Sequence, residues 1–121
     1  STTATFERLR RLELMGMITG YVAVLDAEKL ERGFVVFCNV AMHRINQDTV
    51  NDFVAHVREW PEVSECYNVS GEFDYMLKVF CKSMEEYQHF VIRTIGTLEN
   101  VMRIQSVFVM DTLKLTYGIR I

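Results

Sequence analysis

The stretch from Gly71 to Tyr75 carries the groups of this chain best suited to chemistry. It is a polar turn with two carboxylates, Glu72 and Asp74, and it joins two strand-like runs at residues 63–70 and 76–82. A tight connection between strands normally needs only a glycine and one polar residue. This turn adds two aromatic residues and two acids, so it can present backbone N–H groups and carboxylates at one rim. An ordinary hairpin turn with incidental acids is the alternative, and a short motif alone does not exclude it.

The histidines and acids do not form a catalytic or metal-binding pattern. His43, His56 and His89 have no companion at a metal-ligand spacing such as i, i+4. The sequence contains no glycine-rich phosphate loop and no nucleophile elbow. Glu72 and Asp74 could act as an acid–base pair, but side chains two positions apart in a turn need not converge. We therefore expect a protein that is not an enzyme and that uses no metal or cofactor.

Composition and charge indicate one globular domain of 121 residues, half of them hydrophobic. The net charge of -3 argues against a nucleic-acid interface over the whole surface, so any DNA contact must come from a local patch. No apolar run approaches the length of a membrane span, and the start shows no signal-peptide pattern. Cys38, Cys66 and Cys81 lie in apolar runs without close spacing, which predicts small buried side chains in a reducing, cytoplasmic location.

The first part of the chain reads as a helix and a strand. Phe6, Leu9 and Leu12 recur at helical spacing, and Gly16 is a typical helix stop, so we predict a helix over residues 3–15. A strand over 18–25 and a connection over 26–32 follow. This helix is too short and too polar to bury itself, and it opens the chain with basic residues. We therefore expect a missing partner on its N-terminal side.

From residue 33 the pattern is strand-helix-strand, repeated once. The predicted strands are 34–41, 63–70, 75–82 and 101–110, the predicted helices begin at Asn46 and Ser83, and a last half-buried strand covers 113–120. Trp60-Pro61 ends the first of these helices. The second has an inner stripe that reaches Leu98. This order predicts an α+β, ferredoxin-like split βαβ sandwich, with a four-stranded antiparallel sheet and two helices on one face.

Apolar residues occupy both faces of the predicted sheet. In the strand at 34–41, Val36 and Cys38 lie on one face, and Val35 and Phe37 lie on the other. A sheet with one face in water would instead alternate apolar and polar residues. Burying a further ~600–800 Å² of apolar surface favours association by roughly 15–20 kcal/mol before association costs. We therefore expect an obligate oligomer, most simply a two-fold dimer joined through its sheets, rather than a sheet with scattered exposed apolar side chains.

Several short motifs, taken together, resemble one protein family. The basic helix ERLRRLE at 7–13 precedes GMI at 16–18, GY at 20–21 and LD at 25–26, and PEV at 61–63 precedes ECY, GEFDY and LKV. The combination resembles the recognition helix, linker strand and effector domain of the Lrp/AsnC (feast/famine) transcriptional regulators, over essentially the whole chain. The resemblance implies a remnant of the DNA-binding recognition helix at 1–16, a linker strand at 17–32, and an effector-binding and oligomerisation domain at 33–121.

The resemblance also implies a ligand and an assembly. Family members pair through their sheets into dimers, usually assemble into octamers, and bind an amino acid or related metabolite between dimers. The implied contacts in this chain are Ser70, Gly71, Glu72, Phe73, Asp74 and Ser106. Backbone N–H groups near Gly71 can bind the effector carboxylate, and Asp74 or Glu72 can bind its ammonium. Glu72 and Phe73 are conservative replacements of the commoner Asp and Tyr. Val107 stands where a second hydroxyl residue is frequent, and this valine favours an apolar amino acid such as leucine or methionine.

The implied DNA contacts lie on the first helix. Its groove-facing start comprises Ser1, Thr2, Thr3 and Thr5, and its backbone-facing part comprises Arg8, Arg10 and Arg11. Of the family's helix-turn-helix, only the second helix is present in this sequence. Without the resemblance, a solvated helix face would account for Arg10 and Arg11.

Three other interpretations remain open at the level of sequence. Siroheme decarboxylases resemble this family in both domains, but they would need basic and histidine residues lining a tetrapyrrole cavity. Dimeric ferredoxin-like monooxygenases share the sheet-paired architecture but have no basic leading helix. A stand-alone small-molecule-binding module would use the same effector domain without DNA. The resemblance favours a transcriptional regulator that senses an amino acid and controls DNA binding through its assembly.

Overall fold

A four-stranded antiparallel sheet carries two helices on one face in the computed structural model, which describes residues 1–119. Its elements are α1 (Thr2–Leu14), β1 (Phe34–Met42), α2 (Gln47–Arg58), β2 (Val63–Asn68), β3 (Tyr75–Cys81), α3 (Met84–Arg93) and β4 (Val101–Phe108). The strand order is β2-β3-β1-β4, and each neighbouring pair is antiparallel. The predicted α+β, ferredoxin-like plan is therefore confirmed.

Local capping signals determine where the two packed helices begin. The Asn46 side chain accepts a hydrogen bond from the Thr49 amide at 2.9 Å, and the Thr49 hydroxyl accepts one from the Asn46 amide at 2.9 Å. This reciprocal capping box starts α2. The Ser83 hydroxyl accepts from the Glu86 amide at 3.2 Å, and this single bond caps the start of α3. Both starts agree with the sequence prediction.

The end of α3 differs from the prediction. The helix stops at Arg93, and a 3-10 turn at Ile95–Thr97 takes the place of its last predicted turn. A Cβ atom on Gly96 would lie 2.9 Å from the Val91 carbonyl oxygen, so this close approach of the backbone requires glycine. Ile95 remains fully buried, because the turn still directs it into the core.

The core lies between the sheet and the two helices. Alternate residues of the central strands are buried against aromatic side chains of α2 and α3: Val36, Cys38 and Val40 of β1, Leu77, Val79 and Cys81 of β3, Phe53 of α2, and Tyr87 and Phe90 of α3. Cys66 is exposed, contrary to the prediction, because β2 is an edge strand and has no neighbour on one side.

Two predicted strands do not form in the single chain. Residues 18–25 and 113–119 form no strand pairing, and Arg120 of the last predicted strand lies outside the described residues. Val22 is 91% exposed and Leu113 is 90% exposed, so the predicted half-burial of the last strand is also wrong for the single chain. A strand needs a neighbour for its backbone hydrogen bonds, and neither segment pairs with an edge strand of the four-stranded sheet.

Neither α1 nor any other helix within residues 1–119 has the length and apolar character needed to cross a membrane. The helix α1 contains no buried residue. Its residues 2–14 therefore stand apart from the core described above.

Candidate functional site

Asp74 fixes the turn between β2 and β3 onto the end of β1. Its amide donates to the Val40 carbonyl at 2.9 Å, and its Oδ2 atom accepts from the Met42 amide at 2.8 Å. Its carbonyl accepts from the Val69 amide at 2.9 Å and from the Asn68 side-chain amide at 3.0 Å. These four bonds give Asp74 a structural role. A contact between its carboxylate and a ligand would therefore use the other oxygen, Oδ1, which does not bond to Met42.

Tyr75 joins the same turn to the core. Its side chain is 3% exposed, and its ring centroid lies 4.4 Å from that of Phe53 on α2. Burial raises the pKa of the Tyr75 hydroxyl, and the neighbouring Asp74 charge adds to this effect. Asp74 and Tyr75 therefore anchor the C-terminal end of the turn, and the Val69–Asp74 hydrogen bond closes it, so that residues 70–73 are left to adapt to a ligand.

The middle of the turn offers hydrogen-bond donors. Gly71 has a φ of 105°, a left-handed conformation that a residue with a side chain rarely adopts. Within the described residues, the N–H groups of Gly71, Glu72 and Phe73 donate to no protein acceptor. The Glu72 carboxylate is exposed beside them. This arrangement can bind an anionic group through N–H donors and a cationic group through Glu72.

Arg103 of β4 reaches the turn and was missed by the sequence analysis. Its guanidinium carbon lies 4.8 Å from the centroid of the Phe73 ring, which is a cation–π distance. Arg103 pairs with Ala41 in the register of β1 and β4, and Asp74 bonds to the residues on either side of Ala41. Arg103 and the turn therefore meet across the end of β1. The register of β1 with β4 brings them together, and no local sequence signal indicates this contact.

Ser106, which is also a predicted effector contact, does not lie at the turn. It pairs with Cys38, and its hydroxyl lies 2.6 Å from the Tyr87 hydroxyl on the side of the sheet that α3 covers. Burial raises the pKa of Tyr87 well above its ordinary range, and burial likewise raises the pKa of Cys38. Within one chain the structure does not bring Ser106 to the turn. The contact of Ser106 with an effector stays a prediction.

Residue Val107, next to Ser106, faces the open side of the sheet. It pairs with Phe37 and is 46% exposed. Asn39 and Gln105, on the same side, are joined by a side-chain hydrogen bond of 3.4 Å. The open face therefore combines apolar side chains with a small polar pair.

The first helix carries the predicted DNA contacts on an uncovered surface. The Ser1 hydroxyl caps it by accepting from the Ala4 amide at 3.2 Å. Three threonines follow at its start, and its arginines are exposed: Thr2, Thr3, Thr5, Arg8, Arg10 and Arg11. Its apolar side chains, Phe6, Leu9 and Leu12, are exposed as well. A helix with an uncovered apolar stripe beside basic residues is suited to docking on another helix while it contacts an anion.

A groove of about 390 Å³ lies between the start of α2 and the start of β4. Three carboxylates line it, from Asp48, Asp52 and Glu99, together with Met42 and Leu98. Its negative charge disfavours a ligand that carries a carboxylate. The turn, with its N–H donors and Arg103, is the better site for such a ligand.

The fold is a split βαβ sandwich, and the turn between β2 and β3 is its candidate site. The family described as the Lrp/AsnC ligand binding domain matches residues 35–119. The leucine-responsive regulatory protein of Salmonella typhimurium is 36% identical over 114 residues, which cover 94% of this chain and 70% of that protein. The Bkd operon transcriptional regulator of Pseudomonas aeruginosa is 35% identical over 115 residues, covering 95% of this chain and 75% of the relative.

Solved structures agree with these relatives. A Neisseria meningitidis transcriptional regulator in complex with L-methionine superposes with a TM-score of 0.91 at 36% identity, covering 99% of this chain and 77% of that one. A feast or famine regulatory protein from M. tuberculosis, complexed with L-methionine, superposes with a TM-score of 0.78 at 28% identity, covering 98% and 78%. This chain belongs to the Lrp/AsnC family of transcriptional regulators. It is a regulator rather than an enzyme, and the siroheme decarboxylase alternative is not supported.

Proposed function

We propose that this regulator senses a free amino acid at the Gly71–Asp74 turn and that the effector changes how the protein assembles on DNA. One observation carries the proposal: the turn presents unengaged N–H donors and the Glu72 carboxylate in a domain that superposes on a regulator crystallised with L-methionine. Donors and an acid at one rim match the carboxylate and ammonium groups of an amino acid. Ser70, Phe73 and Ser106 complete the proposed contacts.

The effector is proposed to be apolar, such as leucine or methionine. Val107 offers no hydroxyl to a polar side chain, and the ring of Phe73 adds an apolar wall to the turn. The two solved relatives described above are complexes with L-methionine. Methionine is therefore the first compound to test.

Assembly is proposed to proceed from dimers joined through the open sheet faces to octamers of four dimers. The support is the apolar surface that the single chain leaves uncovered. Phe37 and Phe80 lie on the open face, and Val22, Met110 and Leu113 are each at least 90% exposed. Burial of such surface against a second copy is the usual origin of two-fold dimers.

DNA binding is proposed to use α1 as the recognition helix of a helix-turn-helix. In this division residues 1–16 belong to the DNA-binding part, 17–32 to the linker, and 33–121 to the effector and oligomerisation domain. The groove-facing side chains are Ser1, Thr2, Thr3 and Thr5, and Arg8, Arg10 and Arg11 contact phosphates. The exposed stripe of Phe6, Leu9 and Leu12 supports docking against another helix of that motif.

Isothermal titration calorimetry with L-methionine tests the sensing proposal. Glu72→Gln removes the charge proposed to face the ammonium, so the affinity should fall by about 10- to 150-fold, corresponding to 1.5–3 kcal/mol. Glu99→Gln is the matched control, because Glu99 lines the acidic groove and should not affect binding at the turn. If Glu99→Gln weakens binding and Glu72→Gln does not, the effector binds in the groove. If the unchanged chain binds neither methionine nor leucine, the sensing proposal is rejected.

A further inference from the structure

Arg103 stands at the candidate site with its charge unneutralised by the protein. Among residues 1–119, the salt bridges join other pairs, and none includes Arg103. Its guanidinium carbon lies 4.8 Å from the Phe73 ring centroid, and Phe73 immediately precedes the anchored Asp74. The side chain is thus held beside the turn, although its residue is exposed.

The chemistry around Arg103 favours one kind of group. A guanidinium that lies over an aromatic ring keeps the N–H donors of its edge available, and these donors match the two oxygens of a carboxylate. The N–H groups of Gly71, Glu72 and Phe73 add further donors without a protein acceptor in the described part of the chain. A cation and several amide donors at one turn constitute a site for a monoanion.

We propose that Arg103 binds the α-carboxylate of the effector and that Phe73 positions its guanidinium for this contact. The inference rests on the proposed function, and it narrows the effector class to compounds with a free carboxylate. Amides and esters of the same amino acid should bind weakly. Arg103 also complements Glu72: the arginine faces the anionic end of the amino acid, and the glutamate faces the cationic end.

Calorimetry on the full chain with L-methionine and L-methioninamide tests the assignment. The amide keeps the ammonium and the side chain of methionine but replaces the carboxylate with a neutral group. The unchanged protein should bind methionine about 10- to 100-fold more tightly than methioninamide, as expected for a charge-assisted contact. Arg103→Gln should lower the affinity for methionine by the same factor and leave the affinity for methioninamide unchanged.

Two further variants isolate the contact. Arg103→Lys keeps the charge but loses the paired donors, so it should bind methionine with an affinity between those of the unchanged protein and Arg103→Gln. It also provides the test if Arg103→Gln folds poorly by circular dichroism. Arg58→Gln removes an exposed arginine at the end of α2 and should bind both compounds as the unchanged protein does.

The outcomes separate this inference from the proposed function. If the unchanged protein binds methionine and Arg103→Gln binds it equally well, the role of Arg103 is overturned while amino-acid sensing stands. If Arg103→Gln lowers the affinities for methionine and for methioninamide equally, Arg103 has only a structural role, and the inference is overturned. If the unchanged protein binds neither methionine nor leucine, the proposed function fails and the inference fails with it.

Discussion

Asp74 should stabilise the fold even when no ligand is bound. Its Oδ2 atom accepts a hydrogen bond from the Met42 amide at 2.8 Å, and Met42 is buried. Asp74→Ala removes a charged acceptor and leaves a buried N–H group without a partner. The expected loss is about 1.5–3 kcal/mol in the free energy of unfolding, because hydrogen bonds to charged groups contribute that much. At about 4 °C per kcal/mol, the melting temperature should fall by roughly 6–12 °C.

Asp74→Asn separates the hydrogen bond from the charge. The amide oxygen of asparagine can still accept from Met42, and a neutral hydrogen bond has roughly half the strength of a charge-assisted one. This variant should therefore lose only about 1 kcal/mol, between the unchanged protein and Asp74→Ala. Glu72→Ala is the control on the same turn, and because Glu72 is exposed its effect should stay within about 0.5 kcal/mol.

Thermal unfolding of the ligand-free variants, followed by circular dichroism at one protomer concentration, measures these differences. The concentration must be equal because association shifts the melting temperature. If Asp74→Ala melts within 1–2 °C of the unchanged protein, the contact with Met42 does not stabilise the turn. The rigidity of the turn would then have to come from the burial of Tyr75 and from the backbone hydrogen bonds of residue 74 to Val40 and Val69.

Three further predictions follow from other parts of the molecule. Light scattering should give the mass of a dimer or of a multiple of it, and Phe37→Glu on the open face should shift the protein toward the monomer. A stable 14.1 kDa species for the unchanged chain would contradict the sheet-paired dimer. Changing both Arg10 and Arg11 to glutamine should reduce the slope of log K for DNA against log salt by about 1.8, and an unchanged slope would show that α1 does not contact phosphates. Burial raises the pKa of Cys81 from 9.0 to about 11, so the native thiol stays protonated while the unfolded one ionises. Stability should therefore fall as pH rises from 9.0 to about 11, and Cys81→Ala should reduce this fall in pH-dependent denaturation curves.

The predictions from sequence that agree with the structure depend on near neighbours. The starts of α2 and α3 are set by side chains that cap amides three residues away, and the sequence shows both partners. The predicted end of α3 was wrong because the helical spacing of apolar residues continues through Ile95 and Leu98. In the structure, the close contact at Gly96 gives the last turn 3-10 geometry. Helical spacing does not distinguish these two conformations.

The candidate site was predicted only in part. The turn and its acids are contiguous in sequence, so their location at the end of β2 and β3 could be predicted. The engagement of Asp74 by Met42 joins residues 32 positions apart, and the contact of Arg103 with Phe73 joins strand β4 to the turn before β3. Ser106 illustrates the same limit. The family resemblance implies that it contacts the effector, which stays a prediction, and the sequence does not show that its hydroxyl lies against Tyr87.

The amino-acid sequence by itself determined the order of helices and strands, the apolar character of both sheet faces and the chemistry of the turn, because these properties depend on residue type and short-range spacing. Only the tertiary structure decided which side chains meet. The register of β1 with β3 and β4 sets those meetings, and a slip of one residue would move every side chain of a strand to the opposite face. In the same way, residues 18–25 have the sequence of a strand but form none in the single chain, because a strand requires a neighbour.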